Sequence, residues 1–388
     1  MTCERLQRLR EIATLFLKLG SIGFGGPAAH IAMMEREVVQ KRRWLSDGEF
    51  LDLVSATNLI PGPNSTEMAM HIGYKRAGGI GLLVGGVSFI VPAMLIVTAI
   101  AWGYVRFGQL PQTAALLEGV KPVIIAIIIQ AVWMLGKTAV KTRMLMAIGI
   151  TAVVLAFLGL GEILILMLCA LAMFCVQASK LNRTDRSTCF PMIGDIFTAQ
   201  PSVLAGVGGA VAAVPFTQSA MFWFFLKVGA TLFGSGYVLI AFLRTELVER
   251  CGWLTADQLV DAVSVGQFTP GPVLTTATFI GYLLSGPAGA LVATIGIFLP
   301  AFVFVALSGP IIPRIRASPF AGAMLDGVNV GSLSLLAVVA IRLGQIALAD
   351  WTSILVMLAA WLILFTSKLN SAWLILAGAV IGWVKTMF

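Results

Sequence analysis

A ten-residue phrase occurs twice in this chain. Residues 16–25 read FLKLGSIGFG and residues 225–234 read FLKVGATLFG, so Phe16, Leu17, Lys18, Gly20, Phe24 and Gly25 return 209 positions later. The register then holds: Trp44 falls on Trp253, Asp52 on Asp261, Ser55 on Ser264, and Pro61-Gly62-Pro63 on Pro270-Gly271-Pro272. One residue is lost after that point. Gly73 then meets Gly281, Pro92 meets Pro300, and Glu118-Gly119-Val120 meets Asp326-Gly327-Val328. A chain with this self-similarity is built from two copies of one unit.

What the unit can be follows from its residues. Apolar types make up 59% of the chain and charged types 11%, against roughly 25% charged in a soluble domain. Apolar stretches of 18 or more residues recur, which predicts an all-α polytopic membrane protein. The runs are continuous and do not alternate, which excludes a β-barrel. The net charge of +8 sits mostly in short loops, as orientation charges do, and does not indicate nucleic acid. Five scattered Cys without a CxxC, and two distant His, argue against a metal site or a disulfide framework. No P-loop, HExxH or GxSxG occurs, so neither ATP drive nor an enzyme is expected, and no cofactor. Met1–Arg10 reads as a short basic cytoplasmic lead-in.

The apolar segments come in two kinds. Residues 11–34 and 46–74 are interrupted, the first at Phe24-Gly25-Gly26-Pro27 and the second at Pro61-Gly62-Pro63. Residues 220–243 and 256–284 are interrupted likewise, at Phe233-Gly234-Ser235-Gly236 and Pro270-Gly271-Pro272. The remaining runs, including one near 197–215, are unbroken. If the interrupted segments dip in and return, Arg36, Lys41, Arg42, Arg43, Lys75, Arg76, Lys137, Lys141 and Arg143 all fall on one side, as the positive-inside rule asks. That gives nine crossings and four re-entrant hairpins. Five crossings separate the copies, so they are expected to be inverted. The predicted division is repeat 1 over 1–180, a linker with a connecting helix over 181–219, and an inverted repeat 2 over 220–388.

Broken helices at membrane depth survive only inside protein or around a watery cavity, because unpaired backbone in hydrocarbon is costly. Inverted repeats with such breaks characterise secondary transporters, whose site lies between the repeats. Each break starts a half-helix with free N–H groups and a positive dipole end, a natural anion site. The expected anion contacts are Gly25, Gly26, Asn64, Ser65 and Thr66 in one copy and Gly234, Ser235, Gly236, Thr275 and Thr276 in the other. Pro27, Pro61, Gly62, Pro63, Pro270, Gly271 and Pro272 form the breaks, with Pro63 and Pro272 in the first helical turns. Lys18 and Lys227, deep in apolar sequence at equivalent places, are read as a shared counter-charge; the alternative is that they snorkel to an interface. Glu67 is the candidate proton carrier, or else a structural partner of His71 or Lys18. Glu118 and Asp326 are read as structural or gating residues, and His30 as a packing residue.

The same residues carry a family resemblance. Lys18-Leu19-Gly20 followed by Phe24-Gly25-Gly26-Pro27, Trp44-Leu45, Asn58-Leu59-Ile60-Pro61-Gly62-Pro63 and Ile72-Gly73-Tyr74 resembles the chromate ion transporter family. Gly252-Trp253-Leu254-Thr255, Thr269-Pro270-Gly271-Pro272 and Phe279-Ile280-Gly281-Tyr282 are similar to that family's other repeat. The resemblance implies a two-repeat carrier exporting chromate across a prokaryotic plasma membrane, with sulfate as the related oxyanion. Export driven by the proton gradient is the expectation; a passive oxyanion channel and a carrier of another small anion are the alternatives. Membrane lipid surrounds such a chain, and a homodimer is compatible with its size.

Overall fold

The computed structural model describes residues 3–24, 26–57, 60–107, 111–184, 215–232, 239–348, 350–367 and 371–385. The expected helix near 197–215, the Phe233-Gly234-Ser235-Gly236 break and Gly25 lie outside the described residues. Repeat 1 comprises α1 (Cys3–Ile22), α2 (Gly26–Glu35), a π-helical turn (Arg36–Lys41), α3 (Asp47–Thr57), α4 (Asn64–Phe107), α5 (Pro111–Ala139), α6 (Arg143–Phe157) and α7 (Glu162–Thr184). Repeat 2 answers with α8 (Gln218–Thr231), α9 (Leu239–Leu243), a π-helical turn (Arg244–Arg250), α10 (Ala256–Phe268) and a 3₁₀ turn (Val273–Thr275). It continues with α11 (Thr276–Ala317), α12 (Pro319–Ala347), α13 (Trp351–Thr366) and α14 (Ser371–Lys385). The described residues contain no strand.

α4 and α11 are each two helices folded back on themselves. At Ala77-Gly78 the backbone leaves helical geometry, and Gly78 takes φ 68°; Ser285-Gly286 repeats the turn with Gly286 at φ 61°. Only glycine adopts this conformation without strain. The arms then pack closely: a Cβ placed on Gly85 would stand 2.6 Å from the Ala69 carbonyl oxygen, and Gly73 lies against Gly81 as Gly281 lies against Gly289. The short first arm follows the Pro-Gly-Pro break. The longer second arm is the unbroken run expected from the sequence.

Five segments among the described residues are long and apolar enough to cross a membrane: Asn64–Phe107, Glu118–Lys137, Glu162–Ser179, Val273–Ser308 and Phe320–Gln345. Arg143–Phe157, Trp351–Thr366 and Trp373–Val384 are apolar but shorter. Large apolar side chains such as Leu95, Trp102, Ile150, Leu355 and Trp373 point outward, as a hydrocarbon solvent requires.

The repeats run antiparallel. A Cβ on Gly136 of α5 would lie 3.8 Å from Leu333, and one on Gly344 of α12 would lie 3.8 Å from Ile125. Leu333 is the counterpart of Ile125 and Gly344 of Gly136, so equivalent helices face each other in opposite directions. The copies also interlock, with α5 packed on α13 and α14, and α12 packed on α6 and α7. Small residues bring these backbones together, since packing rather than water exclusion drives association in lipid. Gly119 lies against Gly378 and Gly382, and Gly327 against the Cys169 carbonyl. One buried cluster accordingly draws on both repeats, including Ile124, Ile128, Phe225, Phe298 and Leu336.

Candidate functional site

The two Pro-Gly-Pro loops cross. Gly62 donates its N–H to the Leu232 carbonyl at 2.7 Å, and Gly271 donates to the Gly23 carbonyl at 2.8 Å. Leu232 and Gly23 are counterparts, each just past the end of its repeat's first helix. Those carbonyls would otherwise be orphaned at a buried helix end. Each loop therefore closes the C-terminal end of the other repeat's first helix. Gly62 has φ 147° and Gly271 φ 91°. A Cβ at Gly271 would stand 2.5 Å from Ala93, and one at Gly62 would meet Glu67 and stand 3.5 Å from Ala301, the counterpart of Ala93. His30, as expected, packs here: its Nε2 lies 2.9 Å from the Gly23 carbonyl and its ring meets Phe89 edge-on at 5.4 Å.

Helices start beside these loops. α4 opens at Asn64, and the N–H groups of Thr66 and Glu67 close onto the Pro63 carbonyl at 2.8 and 3.0 Å. In repeat 2 the Thr275 N–H and hydroxyl both donate to the Pro272 carbonyl, at 3.0 and 2.8 Å, and the Thr276 hydroxyl donates to Val273 at 2.9 Å. Pro63 and Pro272 thus stand one residue ahead of the helical turn they were expected to occupy, as caps rather than first residues. Pro27 does sit inside the first turn of α2, after Gly26 at φ 75°. α4 packs against the 273–275 turn, and Gly271 just ahead of that turn lies against Ala93 in the second arm of α4.

Asn64, Ser65, Thr66, Glu67, Thr275 and Thr276 are all buried. Glu67 is fully buried, and neither of its carboxyl oxygens has a hydrogen-bond partner among the described residues; the same holds for Thr66 Oγ1 and His71 Nε2. Leaving such groups unpaired costs roughly 1–3 kcal/mol each. Of the two structural partners considered for Glu67, Lys18 binds elsewhere, and no side-chain hydrogen bond joins Glu67 to His71.

The lysines correct the expectation of a shared central counter-charge. Lys18 Nζ lies 3.4 Å from Glu37 Oε1, beside Lys41 at 2.8 Å, with its side chain half exposed. Lys227 Nζ lies 3.1 Å from Glu246 Oε1, and Arg250 lies 2.8 Å from the other oxygen. Glu37 and Glu246 are counterparts, as are Lys41 and Arg250. Each lysine therefore joins an ion cluster within its own repeat. An exposed cation on a nearby carboxylate avoids the desolvation that a mid-membrane lysine would incur. Sequence reasoning missed the two glutamates although the 209-residue register pairs them.

Two antiparallel copies of a helical unit, with broken helices meeting between them and apolar helices outside, define a membrane transporter architecture. The chain belongs to the chromate transporter family, whose model matches residues 10–174 and again residues 219–383. It is 32% identical to the chromate transport protein of Cupriavidus metallidurans over 381 residues, covering 97% of this chain and 93% of that one. It is 32% identical to the chromate transport protein of Pseudomonas aeruginosa over 390 residues, covering 96% and 92%. An uncharacterised transporter of Bacillus subtilis is 32% identical over 120 residues, which is 31% of this chain and 67% of that protein. No solved structure matches.

Proposed function

We propose that this chain is a secondary transporter of chromate, with sulfate as the oxyanion it resembles in charge and shape, exporting its substrate across a prokaryotic plasma membrane. The observation that carries the reading is the pair of buried helix starts beside the crossed Pro-Gly-Pro loops. Helix starts attract anions through their dipoles and N–H groups. The polar run Asn64, Ser65 and Thr66, with the buried Thr66 hydroxyl unpartnered among the described residues, suits the oxygens of a small tetrahedral dianion. The long relatives' name, chromate transport protein, supports the same substrate.

Glu67 gives this site its coupling. A dianion and an ionised carboxyl in one low-dielectric pocket repel strongly. Glu67 therefore takes up a proton as the anion arrives and releases it as the anion leaves. The dianion and the proton leave the cytoplasm with one net negative charge, which runs down the inside-negative potential that proton pumping maintains, at about 2.3 kcal/mol per charge per 100 mV. Export is driven in this way, and protonation of Glu67 sets the pH dependence.

Proteoliposomes loaded with radiolabelled chromate, with sulfate as competitor and an imposed potential, test the reading. Saturable, potential-dependent efflux inhibited by sulfate is expected. Efflux that rises linearly with concentration would identify a channel, and failure of both oxyanions alongside flux of another anion would move the substrate.

A further inference from the structure

α10 carries a second buried carboxyl group, used by nothing described above. Asp261 is 6% exposed. Tyr104, near the end of α4 in the other repeat, donates its hydroxyl to Asp261 Oδ2 at 2.8 Å. Asp261 Oδ1 is buried with no partner among the described residues. The Tyr104 ring packs edge-on against Phe279 at 5.3 Å.

An exposed charged pair and a cavity lie one helical turn from Asp261. Asp257 lies one turn earlier on the same face of α10, is largely exposed, and accepts from Lys121 Nζ at 2.9 Å. Asp257 and Lys121 line a cavity of about 690 Å³ together with Glu118, Asp350 and Ser353. Its counterpart in the other repeat, lined by Asp326, Thr142 and Leu145, holds about 340 Å³. In the other direction buried Ser264 continues the face of α10 toward the Pro270-Gly271-Pro272 break. This polar file exists in one repeat alone: Gly48 stands for Asp257, and Asp52, the counterpart of Asp261, is exposed. Glu67 shows the opposite asymmetry, since its counterpart in the second repeat is Thr275 or Thr276. Each repeat thus contributes one buried carboxyl group that its partner lacks.

The remaining charges near α10 are engaged elsewhere. In the 244–250 turn Arg244 binds Glu249 and Arg250 binds Glu246, while Arg342 of α12 also binds Glu249. Asp326 of α12 binds Lys141. Lys121 from α5, Tyr104 from α4 and Asp257 from α10 itself are left to act on Asp261.

We propose that Asp261 is a proton-binding site separate from Glu67, loaded through the Lys121–Asp257 cavity, and that its proton sets the strength of the Tyr104 link between the repeats. A hydronium ion in the cavity gives its proton to the unpartnered Oδ1, forming an O–H bond, leaving the carboxyl neutral and a water molecule behind. Tyr104 keeps its own proton throughout. Its hydrogen bond to Oδ2 passes from charge-assisted to neutral, which roughly halves its strength. The purpose of such a link, loosening the repeats for transport, rests on the proposed function; the protonation itself does not.

Infrared difference spectra of the purified protein in lipid, recorded between about pH 4 and 9 without chromate, test the proposal. A protonated-carboxyl C=O band that titrates is expected in the wild type. Asp261→Asn should lose that band completely, while Glu67→Gln should retain it. Tyr104→Phe keeps the carboxyl and should move the band to higher frequency, because the carbonyl oxygen loses its donor. Titrating carboxyl bands identical in Glu67→Gln and in the Glu67→Gln/Asp261→Asn double variant, or the absence of any titrating carboxyl band in Glu67→Gln, would overturn the proposal whether or not the protein carries chromate.

Discussion

Gly62 of the first repeat donates its N–H to the carbonyl of Leu232 in the second, and Gly271 returns the bond to Gly23. The two hydrogen bonds are mates under the internal symmetry and tie each loop to the other copy. The fold at the centre is therefore a mutual closure, and neither repeat completes its own break.

This closure predicts that Gly62→Ala and Gly271→Ala are both severe. Each position has positive φ, costing a side chain about 1–2 kcal/mol in the left-handed region. Each also lacks room: Gly62 faces Glu67, and Gly271 faces Ala93. Thermal unfolding of the purified variants in detergent should show a clear loss of stability for both. If Gly62→Ala unfolds at the wild-type temperature, the crossed loops do not hold the centre as described.

Close helix approach makes a sharper pair of variants. A Cβ at Gly20 would stand 2.5 Å from the Phe89 carbonyl oxygen, whereas Gly103 has open space around it. Gly20→Ala should destabilise by roughly 1–3 kcal/mol through overpacking of α1 on α4. Gly103→Ala should be neutral or stabilise by up to about 1 kcal/mol through helix propensity. Equal effects on melting temperature would refute the α1–α4 contact.

The ion clusters predict a stability effect without a change in substrate affinity. Lys18→Ala removes one of several half-exposed cations from Glu37 and should cost at most about 1 kcal/mol. Glu37→Gln should cost more, because Lys18, Lys41 and Arg42 all lie within 3.5 Å of its carboxyl oxygens. Lys41, and after it Lys18, hold the Glu37 carboxyl below its ordinary value of 4.5. Since the folded value is the lower one, this stabilisation is complete above about pH 4.5 and is lost as pH falls through the folded value. Melting curves should show Glu37→Gln less sensitive to acid than wild type. An unchanged KM for chromate in Lys18→Ala and Lys227→Ala accords with these clusters; a large rise would return the lysines to the anion site.

Most of the architecture was legible in the sequence because its signals are local or repeated. Gly and Pro inside apolar runs mark the breaks at 61–63 and 270–272, the 209-residue register marks the duplication, and the odd crossing count with the shifted basic charge marks the inversion. Contacts between repeats were not legible. Tyr104 meets Asp261 across 157 positions, and no helical period or motif links them. The lysines misled because apolar neighbours in sequence suggested depth, whereas their helix face turns them outward to Glu37 and Glu246. The sequence singles out Glu67 by its place one turn past Pro63, but its full burial without a hydrogen-bond partner among the described residues comes only from the packed structure.

The measurement that bears most directly on the account is chromate flux in proteoliposomes as a function of pH, wild type beside Glu67→Gln. A buried carboxyl that must be neutral when the dianion is bound predicts a pH-dependent wild type and a variant that transports with that dependence removed. A Glu67→Gln protein whose flux follows the wild-type pH profile would contradict the coupling, and with it the central role given to the crossed breaks.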